Sequence, residues 1–73
     1  SSHEKFDLIF ADPPYDMENI IEIPEIIFNG DHLNDGGLFI LEHSKKYNFK
    51  SHESFMQERI YGSVHFSFFE KKK

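Results

Sequence analysis

The sequence contains no cysteine, so neither a disulfide nor a thiolate metal site is open to it. No apolar run approaches the length of a membrane span, and no charged-then-apolar leader reads as a signal peptide. A cytoplasmic location with no membrane partner is therefore the expectation. Basic character is also lacking. The formal net charge is −5, whereas a free-standing nucleic-acid binder usually presents a basic face. His3, His32, His52 and His65 are scattered without metal-ligand spacing, so no metal site is assigned. No internal repeat or low-complexity tract interrupts the chain.

What is present is aromatic. Nine Phe and three Tyr in 73 residues supply most of a core for one small domain, although chains of this length are marginal on core size alone. Phe6 to Ala11 is a short apolar run with one charge, which suits a strand buried on both faces of a parallel sheet. Asp12 follows it. Pro13 and Pro14 then end the strand, since neither can donate a ladder hydrogen bond and each fixes its own φ. Tyr15 adds a flat face with a phenolic tip. A carboxylate, a stiff corner and an aromatic at the C-terminal end of a strand lie where open α/β sheets bind ligands.

Asp16 is a possible N-cap for a helical turn over about 17–22. Pro24 inside one long helix would cost ~3 kcal/mol, so a new helix is expected from Pro24 to about Asn29. Ile23, Ile26, Ile27 and Phe28 would face the sheet, Gly30 would cap the helix, and Leu33 would pack after it. Asn34-Asp35-Gly36-Gly37 is a turn signal, after which Leu38–His43 reads as a second central strand. Strand, helix and strand form a right-handed parallel βαβ unit. Residues 44–53 read as loop. Ser54–Ile60 and Val64–Glu70 read as an antiparallel hairpin joined by Tyr61-Gly62-Ser63. The fold class is thus α/β, a mixed sheet with a β-α-β unit followed by an antiparallel hairpin. An apolar central strand so near the first residue needs neighbours from elsewhere, so residues 1–73 are expected to be a piece of a larger domain. An edge and a face left bare would make such a piece self-associate.

The corner suits one chemistry. An exocyclic amine on a base is planar and a poor nucleophile, because its lone pair is delocalised into the ring. To attack a methyl donor it must be held, pyramidalised and stripped of competing water. Asp12 can accept one N–H and the Pro13 carbonyl the other, while Tyr15 can stack on a base drawn out of its helix or loop. The same four residues could equally form only a rigid turn in a non-catalytic module. Among the residues near this edge, His43 could orient RNA or be a strand-end side chain satisfied locally. Lys45, Lys46 and Lys50 could contact phosphate or simply be solvated.

The run Asp7-Leu8-Ile9-Phe10-Ala11-Asp12-Pro13-Pro14-Tyr15 resembles motif IV of S-adenosylmethionine-dependent amino-methyltransferases, the DPPY motif. With Ile23-Pro24-Glu25, Gly36-Gly37-Leu38, Leu41-Glu42-His43-Ser44-Lys45, Arg59 to Val64 and Phe66-Ser67-Phe68, the chain is similar to the RsmD-like family. That family methylates the guanine N2 amine in small-subunit ribosomal RNA. The resemblance implies the C-terminal half of a class I, Rossmann-like methyltransferase domain, with its last strand antiparallel between the second and third strands seen here. It carries Asp12, Pro13, Pro14 and Tyr15 over as the catalytic and target-base residues. It implies S-adenosylmethionine as cofactor and ribosomal RNA as partner. The family's glycine-rich cofactor loop lies upstream of this motif and has no counterpart in residues 1–73, so this stretch alone is expected to be inactive and to bind cofactor poorly. A DNA adenine-N6 or cytosine-N4 methyltransferase would use the same corner and is the alternative.

Overall fold

The computed structural model describes residues 5–14 and 18–72. In order these are β1 (Phe6–Ala11), a 3-10 turn (Ile20–Glu22), α1 (Ile23–Asn29), β2 (Leu33–His43), β3 (Phe55–Tyr61) and β4 (Val64–Glu70). They form one sheet in the order β1-β2-β4-β3. β1 pairs parallel to β2, and β4 is antiparallel to both β2 and β3. The last strand thus sits between the second and third, as the family resemblance implies.

Pro24 decides how the crossover is divided. It lies in the first turn of α1, where a missing N–H costs nothing, and the 3-10 turn ends just before that helix. Ile20, Ile23, Pro24, Ile27 and Phe28 fall on the side packed against the sheet. Ile26 does not. It lies roughly 100° round the helix from Ile27 and is exposed, contrary to the sequence reading. Gly30 caps the helix by donating its N–H to the Ile26 carbonyl at 3.0 Å. Asp31 then takes a left-handed backbone (φ 58°), which aspartate tolerates better than most residues. Its carboxylate lies 3.3 Å from Lys5 Nζ and 3.4 Å from Lys71 Nζ. The proposed cap Asp16 lies outside the described residues.

The Asn34–Gly37 segment is not a turn before a strand. β2 already starts at Leu33, and this segment is a bulge within it. Phe6 pairs with Leu33 but Leu8 pairs with Leu38, so β2 carries three extra residues there. The bulge is held from both sides. Gly36 N–H bonds the Lys71 carbonyl at 2.6 Å, Lys71 N–H bonds the Gly37 carbonyl at 2.9 Å, and Asn34 Nδ2 donates to Asp7 Oδ1 at 2.8 Å. Gly36 takes φ 81° to make the detour. The hairpin is tighter than read from sequence. β3 runs through Tyr61 and only Gly62 and Ser63 turn, with Gly62 at φ 60° as in type II′ turns.

The core lies on the helix side of the sheet. β2 contributes Phe39, Leu41 and His43, β4 contributes Ser67 and Phe69, and Ile9 and Ala11 of β1 pack alongside. Phe49, in the stretch read as loop, is also buried there. The opposite face is bare. Leu8 and Phe10 are 56 % and 54 % exposed, and Phe10 meets Phe66 across the sheet at 6.4 Å between ring centroids. β1 therefore occupies a sheet edge in this chain and is covered on one face only, not on both.

Two outcomes follow from this packing. Phe39→Ala removes a fully buried ring stacked on Phe69 at 5.6 Å; it should cost about 3–5 kcal/mol in chemical unfolding. The chain produced alone should self-associate through its bare face and edge. Sedimentation equilibrium should show a concentration-dependent mass, and a clean monomer at high concentration would contradict this.

Candidate target-base site

The site begins where the β1 ladder stops. Ala11 pairs with Leu41, the last parallel rung, and Asp12 and Pro13 lie beyond it. Pro14 cannot extend the ladder. Asp12 and Pro14 are exposed and Pro13 is half-buried. Tyr15 lies outside the described residues. The rung that precedes Asp12 runs across the whole sheet, since Leu41 also pairs with Ser67, and Ser67 with Glu58. Asp12 thus leaves the C-terminal edge of β1 beside Glu42 and His43, which end β2. This edge brings together the corner and the loop that carries Lys45 and Lys46, both exposed.

His43 is not a surface residue of this edge. It is fully buried. Its Nδ1 lies 2.8 Å from the Ser44 carbonyl, which can only accept, so Nδ1 carries the proton. Nε2 then accepts from Ser67 Oγ at 2.7 Å. Both ring nitrogens are engaged, which is the locally satisfied state and leaves neither for RNA. Of the two readings the sequence leaves for His43, the geometry matches the strand-end side chain satisfied locally, and as a ligand presented directly to RNA the residue is corrected. Its imidazole packs edge-on against Phe49 at 4.9 Å and Tyr47 at 6.4 Å, and lies 5.7 Å from His65. His65 Nδ1 meets Glu58 Oε2 at 2.7 Å. In the sequence Ser67 stands only within the Phe66-Ser67-Phe68 strand, with no role of its own. Its signal was a lone hydroxyl on the alternating face His65, Ser67, Phe69.

Desolvation holds the His43 pKa below its ordinary value of 6.5, with the Ser44 carbonyl opposing the shift. The unfolded chain therefore binds a proton near pH 6.5 that the folded chain still refuses.

A cleft of about 480 Å³ lies at the other end of the sheet, between α1 and the loop before β3, lined by Glu25, His52 and Lys71 among others. It is remote from Asp12, because Lys71 pairs with Gly37 where β2 begins its regular course. His52 is held there by the Ser54 N–H, which donates to Nδ1 at 3.0 Å. Its Nε2 lies 3.0 Å from Glu25 Oε1 but out of line for a hydrogen bond, so that contact is electrostatic only.

The cofactor the resemblance implies finds no cradle among the described residues. Gly36 and Gly37 are at this same remote end and are committed to the bulge. They do not fit the part of a cofactor loop.

A parallel βαβ unit extended by an antiparallel hairpin, with its strand ends gathered at one edge, is half of a class I methyltransferase fold. A protein from Haemophilus influenzae that carries the provisional name of a methylase superposes on the whole chain with a TM-score of 0.77 at 19 % identity, over 47 % of its own length. A conserved hypothetical protein of Streptococcus pyogenes matches 97 % of the chain with a TM-score of 0.79 at 26 % identity, over 46 % of its length. An uncharacterized methylase of Rickettsia prowazekii is 27 % identical over 63 residues, which are 84 % of this chain and 27 % of that protein. The chain thus spans under half of each of these relatives. Residues 1–70 match the family described as Conserved hypothetical protein 95, and the chain belongs to that family, the RsmD-like one.

The His43 arrangement predicts acid lability. Its contribution to stability is complete above pH 6.5 and is lost as pH falls through the lower, folded value. The unfolding temperature should decline between pH 7 and 5. An NMR titration of the His43 imidazole in the folded protein with a midpoint at or above 6.5 would contradict it.

Proposed function

We propose that the protein carrying this chain transfers a methyl group from S-adenosylmethionine to the exocyclic N2 amine of a guanine in small-subunit ribosomal RNA, in the cytoplasm. This chain supplies the half of the site that receives the amine. The observation that carries the reading is the Asp12-Pro13-Pro14 corner placed just past the last β1 rung, in a family whose relatives include proteins named as methylases.

The chemistry assigned to these residues is binding and orientation. The Asp12 carboxylate accepts one N–H of the amine. The Pro13 carbonyl, lying past the ladder, accepts the second. Two acceptors set apart in this way pull the nitrogen out of the plane of the base and turn its lone pair toward the methyl donor. Pro13 and Pro14 contribute stiffness, since each has only one free backbone torsion, so the acceptors do not have to be reorganised when the base arrives. Tyr15 follows directly and supplies the stacking face. The methyl donor, bound by residues outside those described, provides an electrophilic methyl group when present. Lys45 and Lys46 supply positive charge for the RNA backbone at an edge of an otherwise acidic chain.

In the intact protein, Asp12→Ala should lower kcat for RNA methylation by about 10²–10³. Affinity for S-adenosylmethionine, read by calorimetry, should change less than twofold. Unchanged turnover would leave the corner as a turn and nothing more. Equal activity on an adenine or cytosine amine in DNA would shift the assignment to the DNA enzymes that share the motif.

A further inference from the structure

The polar cluster behind the corner takes no part in holding the amine, yet it is built with some cost. Ser67 places a hydroxyl among the buried side chains of Phe39, Leu41 and Phe69, where an unpaired polar group is unfavourable. It is retained with a 2.7 Å bond to His43 Nε2. His43 in turn holds the Ser44 carbonyl, and Phe49 and Tyr47 close over its ring. The chain leaving β2 is thereby wound round a single imidazole. Lys45 and Lys46 form the exposed turn of that winding, and the Lys46 N–H rests on Ser44 Oγ at 3.3 Å. Behind His43 stands His65, bonded to Glu58.

We propose that His43 and Ser67 are positioning residues for the RNA substrate: through Ser44 they fix the Lys45–Lys46 turn beside the Asp12 corner, so that the two ammonium groups meet phosphates flanking the target guanosine. The inference rests on the methyl-transfer reading above. The topology favours it. Ala11 and Leu41 are partners on adjacent strands, roughly 4.8 Å apart, and the corner and the turn leave the same edge within five residues of that rung. Phosphate contacts set register and orientation on a nucleic acid, not its chemistry. Losing the turn's position should therefore weaken RNA binding and leave the chemical step intact.

Ser67→Thr and Ser67→Val in the intact protein are nearly equal in shape and differ in the hydroxyl. The threonine variant should keep KM for ribosomal RNA within about twofold, whereas the valine variant should raise it about tenfold with kcat at saturating RNA and cofactor affinity within about twofold. Lys45→Ala with Lys46→Ala should raise KM similarly. Added to Ser67→Val they should have little further effect, because both changes act on one interaction. A valine variant with unaltered KM, or one that loses only kcat, overturns the positioning role. Should that variant not fold, the nitrogen NMR signature of His43 in the unmodified protein decides. A proton on Nδ1 is expected, and a proton on Nε2 overturns the proposal. An unmodified protein that methylates no ribosomal RNA sinks the functional reading itself. An active one with an indifferent valine variant sinks only this inference.

Discussion

The ring of Phe69 is the contact on which the rest of this small structure depends. It is fully buried on the helix side of β4. Five aromatic rings surround it at centroid distances of 5.3 to 6.3 Å, from α1 (Phe28), β2 (Phe39), β3 (Phe55) and the loop between β2 and β3 (Phe49 and His52). Most of these contacts are edge-on, the arrangement that ring quadrupoles favour. One side chain thus ties the crossover, two strands and the longest loop to a single rung pattern. β4 can do this only because it lies between β2 and β3.

The sheet has two unlike faces, and the difference explains where chemistry can sit. On the helix side the core is largely aromatic, and its buried polar members, His43 and Ser67, bond one another. On the other side Leu8 and Phe10 remain open to solvent. In a class I fold a second layer belongs against such a face. The relatives of known structure are more than twice as long as this chain. The Asp12 corner stands at the sheet edge, where the backbone ladder has ended and a carboxylate and a carbonyl are available to something other than a neighbouring strand.

Much of the plan was legible in the residues. Pro24 divided the crossover correctly because its physics is local: a ring that fixes φ and lacks a donor belongs in the first turn. The hairpin was legible because alternation and a glycine turn act within a few residues. The bulge was not. Asn34-Asp35-Gly36-Gly37 carries the chemistry of a turn, and only the bonds from Lys71 and Asp7 convert it to part of a strand. Ile26 was misplaced because α1 is short and apolar nearly all round, so its sequence does not say which side meets the sheet. Phe49 was missed because one apolar residue in a polar stretch has no period. For the site, the sequence marked the Asp12 corner but could not decide between the two readings of His43, since burial is set by what folds over it.

The sequence by itself determined the strand, the corner and the chemical character of Asp12-Pro13-Pro14-Tyr15, because proline stiffness and carboxylate chemistry are carried by the residues wherever they lie. Tertiary structure alone decided that the rung before Asp12 also contains Ser67 and Glu58, and that His43 is a buried post and not a surface ligand. Those relations join residues up to 56 positions apart, from Ala11 to Ser67. They exist only once β4 has entered the sheet between β2 and β3, since no local propensity encodes a neighbour two strands away.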